Sequence, residues 1–309
     1  MFIEQAWHKN TDLVKYLPIP IVFLIIVLLN FVVTLVLPVS VDDIIRQEIA
    51  AKGENRFFIE TLAPLVVFLF ILLLWVKFVH KQSIRSLTTA RPKVDWGRIV
   101  FSCGIWSAVT IVLTLAAYYF SPGDYEWNFR PAPFFTMAAI AVVMVPLQTS
   151  FEEYLFRGYL MQGIGIASRS RLMPLIITSV LFGLMHIANP EVGKIGYILL
   201  VYYIGTGLFL GIITLMDDGM ELALGFHAAN NLVTALLITS EWTAFQTPSL
   251  FKDHSEPSAG FETILPVVVI FPLLLFIFSK KYKWTRWKDK LTGRVQLNAN
   301  QMPGTYDQA

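Results

Sequence analysis

Ser150-Phe151-Glu152-Glu153-Tyr154-Leu155-Phe156-Arg157 decides how this chain is read. It sets two carboxylates and a guanidinium inside one of the most apolar regions of an apolar protein. An ionised side chain at membrane depth costs about 2.5–3.5 kcal/mol on insertion scales, so three in six residues need a reason. On a helix, Glu153 and Arg157 stand four apart with the acid first, so they share a face and can pair. Glu152 is rotated about 100° from Glu153. Arg157 can therefore neutralise one acid and leave the other free for chemistry.

The surroundings make this a membrane problem. Of 309 residues, 55% are hydrophobic and 15% charged, and the mean hydropathy is +0.60. Soluble domains carry about 25% charged residues. A span needs about 20 apolar residues, and eight stretches qualify or nearly so: Leu17–Leu37, Leu62–Val79, Ile99–Phe120, Ala132–Phe151, Leu172–Asn189, Ile195–Met216, Leu222–Ser240 and Thr263–Ser279. The expected fold is an all-α polytopic bundle of about eight transmembrane helices. Residues 1–16 form an N-terminal segment, 17–279 the membrane domain and 280–309 a basic, then polar tail. Nothing decisive breaks a helix between Phe151 and Ala167, so the fourth span is expected to continue through the acidic run. Thr292 to Ala309 reads as disordered.

The connections after the second and fourth spans and the tail after the eighth hold most of the Lys and Arg. The positive-inside rule makes that end cytoplasmic, with both termini inside a plasma membrane. The first loop, acidic as well as basic, reads as an outer-surface amphipathic helix. Trp284 and Trp287 read as interfacial anchors. A formal charge of +2, without a basic block, gives no reason to expect nucleic acid as a partner. The lone Cys103 excludes an intramolecular disulfide framework and a thiolate zinc site. No cleavable signal peptide or lipidation box is evident.

Few other strongly polar groups sit inside the spans. His186 follows Phe182 by four residues, and His227 precedes Asn231 by four, with Asn230 nearby. Gly183 and Gly225 offer close helix approach. His8, His80 and His254 read as surface residues. The turn between spans four and five centres near Ser170. If both helices run unbroken, Glu152 and His186 stand at similar depth, roughly 24–27 Å from it.

A lone histidine or asparagine in a span is usually a bonded core group or interhelical glue, and a Glu–Arg pair can simply fix a register. A free acid, two histidines and an amide on three helices exceed what glue requires. Glu152 is then a base for water, His186 holds that water or passes its proton on, and His227 and Asn231 donate to the tetrahedral oxygen of peptide hydrolysis. A second version makes Glu152, His186 and His227 ligands of a catalytic zinc. It is weaker, since the chain has no His-Glu-x-x-His and the ligands come from three spans.

At these residues the chain resembles the CAAX protease and bacteriocin-processing family of intramembrane proteases, also called Abi or CPBP. Glu152-Glu153 with Arg157, Phe182 with His186, and His227 with Asn231 match its three motifs, in order, over about residues 132–240. The resemblance implies that Glu152 and His186 activate water and that His227 and Asn231 form the oxyanion hole. Members are also commonly called metalloproteases. It implies a membrane-associated protein or peptide as substrate, and the lipid bilayer as surroundings. The alternatives are a non-catalytic membrane scaffold or regulator of the same family and, more remotely, a transporter, for which no repeat is visible.

Overall fold

The computed structural model describes residues 1–7, 12–36 and 40–297. Leu37 at the expected end of the first span, His8, and positions 298–309 of the tail lie outside the described residues. The first long helix, α1 (Pro18–Val36), starts with two prolines in its first turn, where their missing N–H groups cost nothing. Ser40 caps α2 (Val41–Lys52) through the Asp43 N–H, and Gly53 at φ 83° ends it. This is the helix expected of the first loop. Then come α3 (Glu54–Phe78), the short α4 (Ile84–Thr88) and α5 (Trp96–Phe120).

The stretch carrying the acidic run is one continuous helix of 38 residues, as the sequence suggests. It comprises α6 (Pro131–Glu153), a π-helical segment over Tyr154–Leu160, and α7 (Met161–Ser168). Arg169 at φ 50° stops it. It is followed by α8 (Leu172–Leu184), α9 (Pro190–Ile195), α10 (Leu199–Asp217) and α11 (Glu221–Leu237). The last elements are α12 (Phe261–Leu265), a π-helical segment over Pro266–Ile270, α13 (Phe271–Tyr282) and α14 (Trp287–Thr292).

The architecture is an all-α polytopic bundle. Among the described residues, six helices are long and apolar enough to cross a membrane. The other two expected spans, α8 and α11, are shorter, at 13 and 17 residues. The fifth was expected to reach Asn189 but leaves helical structure after Leu184, and turns occupy Met185–Ala188. Three small strands also form, one of them at the expected end of the seventh span: β1 (Tyr125–Trp127), β2 (Ile238–Ser240) and β3 (Phe251–Asp253). β3 lies centrally, antiparallel to β1 with Trp127 opposite Phe251, and parallel to β2 with Ile238 opposite Phe251. The ladder satisfies loop backbone that would otherwise lie unpaired at the bundle end.

Ion pairs sort the connections into two ends. At one, Arg91 pairs with Asp217 and Glu221 at 2.8 and 2.9 Å, Lys290 with Asp218 at 2.7 Å, and Arg171 with Glu4. At the other, Lys194 pairs with Asp42 at 2.6 Å and Lys252 with Glu241 at 2.7 Å. There the Lys252 ammonium holds the Glu241 carboxyl below its usual range. The Lys- and Arg-rich segments thus gather at one end.

Several surface readings give way to burial. The N-terminal segment packs into the protein, with Phe2 and Ile3 fully buried beside Met161, Leu175 and Met220. His80 is also buried, with Nε2 2.9 Å from the Tyr159 hydroxyl and Tyr16 and Tyr159 rings around it. Trp284 is no interfacial anchor; its indole donates to Asp217 at 3.0 Å inside the protein. Residues 292–297 of the supposedly disordered tail are ordered, because the Val295 N–H bonds Arg169 O at 3.0 Å and Val295 is buried.

The helices that hold the polar groups meet closely. α11 packs on α5 and α6, and α8 packs on α10. A Cβ on Gly225 would stand 2.1 Å from the Ile99 carbonyl oxygen, and one on Gly207 would stand 2.7 Å from that of Ser179. Only glycine permits these approaches, and they seat α11 on α5 and α10 on α8.

Candidate active site

Glu153 is the hub. Its Oε1 accepts from Arg157 Nη1 at 3.0 Å and from His227 Nδ1 at 2.7 Å. All three are buried, Glu153 and Arg157 completely. The i,i+4 pairing read from the sequence therefore forms, even though Arg157 lies in the wide π-helical turn, a feature that recurs at functional sites. Arg157 also donates to Gly207 O at 3.3 Å and lies 4.0 Å above the Phe182 ring. A buried charge needs such compensation.

Glu152 faces a different set of groups. Its Oε1 accepts from Gln148 Nε2. Its Oε2 lies 3.4 Å from His227 Nε2 and has no hydrogen-bond partner. With Nδ1–H given to Glu153, His227 directs its other nitrogen at the second acid. Asn231 Nδ2 donates to Gln148 Oε1 at 3.3 Å. Five of the six candidate site residues thus form one connected cluster.

The sixth, His186, lies in the turn after α8. Its Nδ1–H donates to Phe182 O at 2.8 Å, which leaves Nε2 as the lone-pair nitrogen of the neutral ring. The ring stacks on Tyr203 at 4.2 Å and 10°. Phe182 lies between the two histidines, 5.1 Å from His186 and 5.7 Å from His227. No hydrogen bond or ion pair among the described residues joins His186 to Glu152. The unbroken helix assumed in the depth comparison ends two residues too soon.

The zinc version needs Glu152, His186 and His227 around one point. Among the described residues, no three His, Cys, Asp or Glu side chains are placed to hold a metal ion. His227 Nδ1 is taken by Glu153, and His186 looks to Phe182 and Tyr203. The donor set does not fit a metal in this arrangement, and no step below passes through one. Glu152, Glu153, Arg157 and His227 are buried. Polar cavities of about 510 and 300 Å³ lie at the end holding Lys194 and Lys252, and no motif residue lines them.

Sequence reading missed three supporting residues. Gln148, four before Glu152 on the same face, was detectable as an amide in an apolar run. Tyr203 and Glu191 were not: the Tyr203 hydroxyl donates to Glu191 Oε1 at 2.8 Å, while the Ala244 N–H donates to Glu191 Oε2 at 3.1 Å. That bracket depends on three distant segments.

The fold and cluster define an integral membrane protein with a buried Glu-Glu/Arg, His and His/Asn centre on neighbouring helices. A model of the type II CAAX prenyl endopeptidase Rce1-like family matches residues 131–233, which include all seven motif residues. Uncharacterized protein YyaK of Bacillus subtilis (strain 168) is 30% identical over 211 residues, covering 67% of this chain and 71% of the relative. No solved structure matches. The chain belongs to the CAAX protease and bacteriocin-processing family.

Proposed function

We propose that this protein is an intramembrane endopeptidase that hydrolyses a peptide bond of a membrane-associated protein or peptide, with Glu152 as general base. The observation that carries the reading is the asymmetry of the two acids. Each acid keeps one oxygen without a hydrogen-bond partner, but Glu153 is bonded to the Arg157 guanidinium and to His227 Nδ1, whereas Glu152 is bonded only to the Gln148 amide and its free Oε2 stands beside His227 Nε2.

Glu152 Oε2 takes one proton from water while His186 Nε2 accepts a hydrogen bond from the other hydrogen, which stays on the attacking oxygen. The oxygen attacks the carbonyl carbon and forms a C–O bond. The carbonyl electron pair moves to its oxygen, which receives hydrogen bonds from Asn231 Nδ2 and from His227 Nε2 in the imidazolium form. Collapse breaks the C–N bond, and the proton on Glu152 passes to the leaving amine. Glu153 steadies His227, and Arg157 steadies Glu153. Burial strengthens each of these interactions. Helices must part to admit substrate and to bring His186 nearer, since the cluster is packed shut here.

The basic end faces the cytoplasm and the sheet faces outward. The Lys/Arg bias supports this orientation.

The test uses purified protein and a panel of membrane-tethered peptides, one set prenylated at a C-terminal cysteine and one unmodified. Wild type should cleave at least one of them. His186→Ala and Glu152→Gln should remain folded and lose cleavage by 10²-fold or more, the range of a general acid or base. Full activity in either variant removes the mechanism. A non-catalytic scaffold, favoured by the closed packing of the cluster, would instead show no cleavage by wild type and altered partner capture in Glu152→Gln.

A further inference from the structure

A line of hydrogen bonds crosses three helices and ends on Glu152. Trp106 on α5 donates its indole N–H to Asn230 Oδ1 at 3.0 Å. Asn230 Nδ2 donates to Asn231 Oδ1 at 3.0 Å. Asn231 Nδ2 donates to Gln148 Oε1 at 3.3 Å, and Gln148 Nε2 donates to Glu152 Oε1. Trp106 and Gln148 are buried, at 5% and 2% exposure.

The chemistry of the first member fixes the direction. An indole nitrogen only donates, whereas each amide can present either end. Trp106 therefore obliges Asn230 to present its carbonyl. That turns the Asn230 amino group to Asn231, whose carbonyl must receive it, and the same constraint passes to Gln148. Glu152 supplies the terminal acceptor. Reversing any one amide opposes two amino groups or two oxygens, each a buried mismatch of about 1–3 kcal/mol. Only one polarity satisfies every member, and successive bonds polarise one another.

We propose that Trp106, Asn230, Asn231 and Gln148 form a one-way hydrogen-bond relay that commits Glu152 Oε1 as an acceptor and leaves Oε2 as the oxygen that takes the proton from water. The relay also turns the Asn231 carbonyl toward Asn230, so its amino group, with a second N–H to give, faces the site. Asn231 is thereby set to donate to an oxyanion and not to accept. Trp106, Asn230 and Gln148 are positioning residues. Their effect on turnover rests on the protease reading; the relay itself does not.

Two measurements on the full chain separate these. The first needs no substrate. With the eight tryptophans labelled with ¹⁵N, the indole resonance lost in Trp106→Phe identifies Trp106. It should move in Gln148→Met and in Glu152→Leu, which remove the members at the far end, and return in Glu152→Gln, which can still accept. A resonance unmoved by both, or moved equally by Glu152→Gln, overturns the relay.

The second is kinetic. Trp106→Phe and Asn230→Asp should lower kcat about tenfold to a hundredfold at unchanged KM, and Trp106→Phe should cost nothing further once Gln148→Met is present. Independent structural damage would multiply instead, and that outcome also rejects the relay. If wild type cleaves nothing, the protease reading fails and the resonance alone decides.

Discussion

Two adjacent glutamates receive opposite treatment in this protein, because successive side chains on a helix point about 100° apart. Glu153 is turned toward Arg157 and His227, and Glu152 toward Gln148. Arg157 has no exposure to solvent, so breaking its pair leaves a buried carboxylate short of charge. Arg157→Met should cost about 3–5 kcal/mol of stability, readable as a large drop in unfolding temperature in detergent. Glu152→Gln, which keeps the amide contact, should leave that temperature nearly unchanged. These two outcomes distinguish the structural acid from the chemical one. The Glu153–Arg157 pair was legible in the sequence from its spacing alone. The third partner was not: His227 lies 74 positions from Glu153, and no local pattern says which of two acids it will face.

Whole elements were read well where hydropathy governs and poorly where polar groups decide an end. The continuous helix through the acidic run was expected from the lack of a breaker, and it forms. Its π-helical turn was not expected, because nothing in Tyr154-Leu155-Phe156-Arg157-Gly158 marks a wider turn without its tertiary partners. The early end of α8 was likewise hidden: Phe182-Gly183-Leu184-Met185 stays apolar past the last helical residue. Gly225 was legible as a contact glycine, and the Ile99 carbonyl fills the place of its missing side chain. Gly225→Val should therefore force α11 off α5, costing about 1–3 kcal/mol as overpacking does. Gly104→Ala, on the same α5 but with nothing within 4 Å of the added carbon, should be neutral or slightly stabilising. Equal effects of the two on thermal unfolding would contradict the close-packing account.

At the scale of the molecule, charge is sorted between two ends of an apolar bundle. Composition sufficed for that class. What it could not reveal is how much of the basic end is packed: Phe2, Trp284 and Val295 are buried among helix ends, although their flanking sequence is polar. These contacts depend on segments far apart in sequence, as in the Phe2 N–H bond to Asp218, 216 positions away. In a Cys103→Ser background, Lys252→Cys should react with a membrane-impermeant thiol reagent in intact cells, and Lys288→Cys only after permeabilisation. The reverse pattern would invert the proposed orientation.

The same bundle hides its reactive groups from bulk water, so the central claim concerns one water molecule admitted to Glu152. The direct measurement is cleavage of the tethered-peptide panel in ¹⁸O-water, with mass spectrometry of the new C-terminus. Wild type should place a single ¹⁸O there, and Glu152→Gln, equally folded, should yield no such product. Undiminished ¹⁸O-labelled product from Glu152→Gln would show that some other group activates the water.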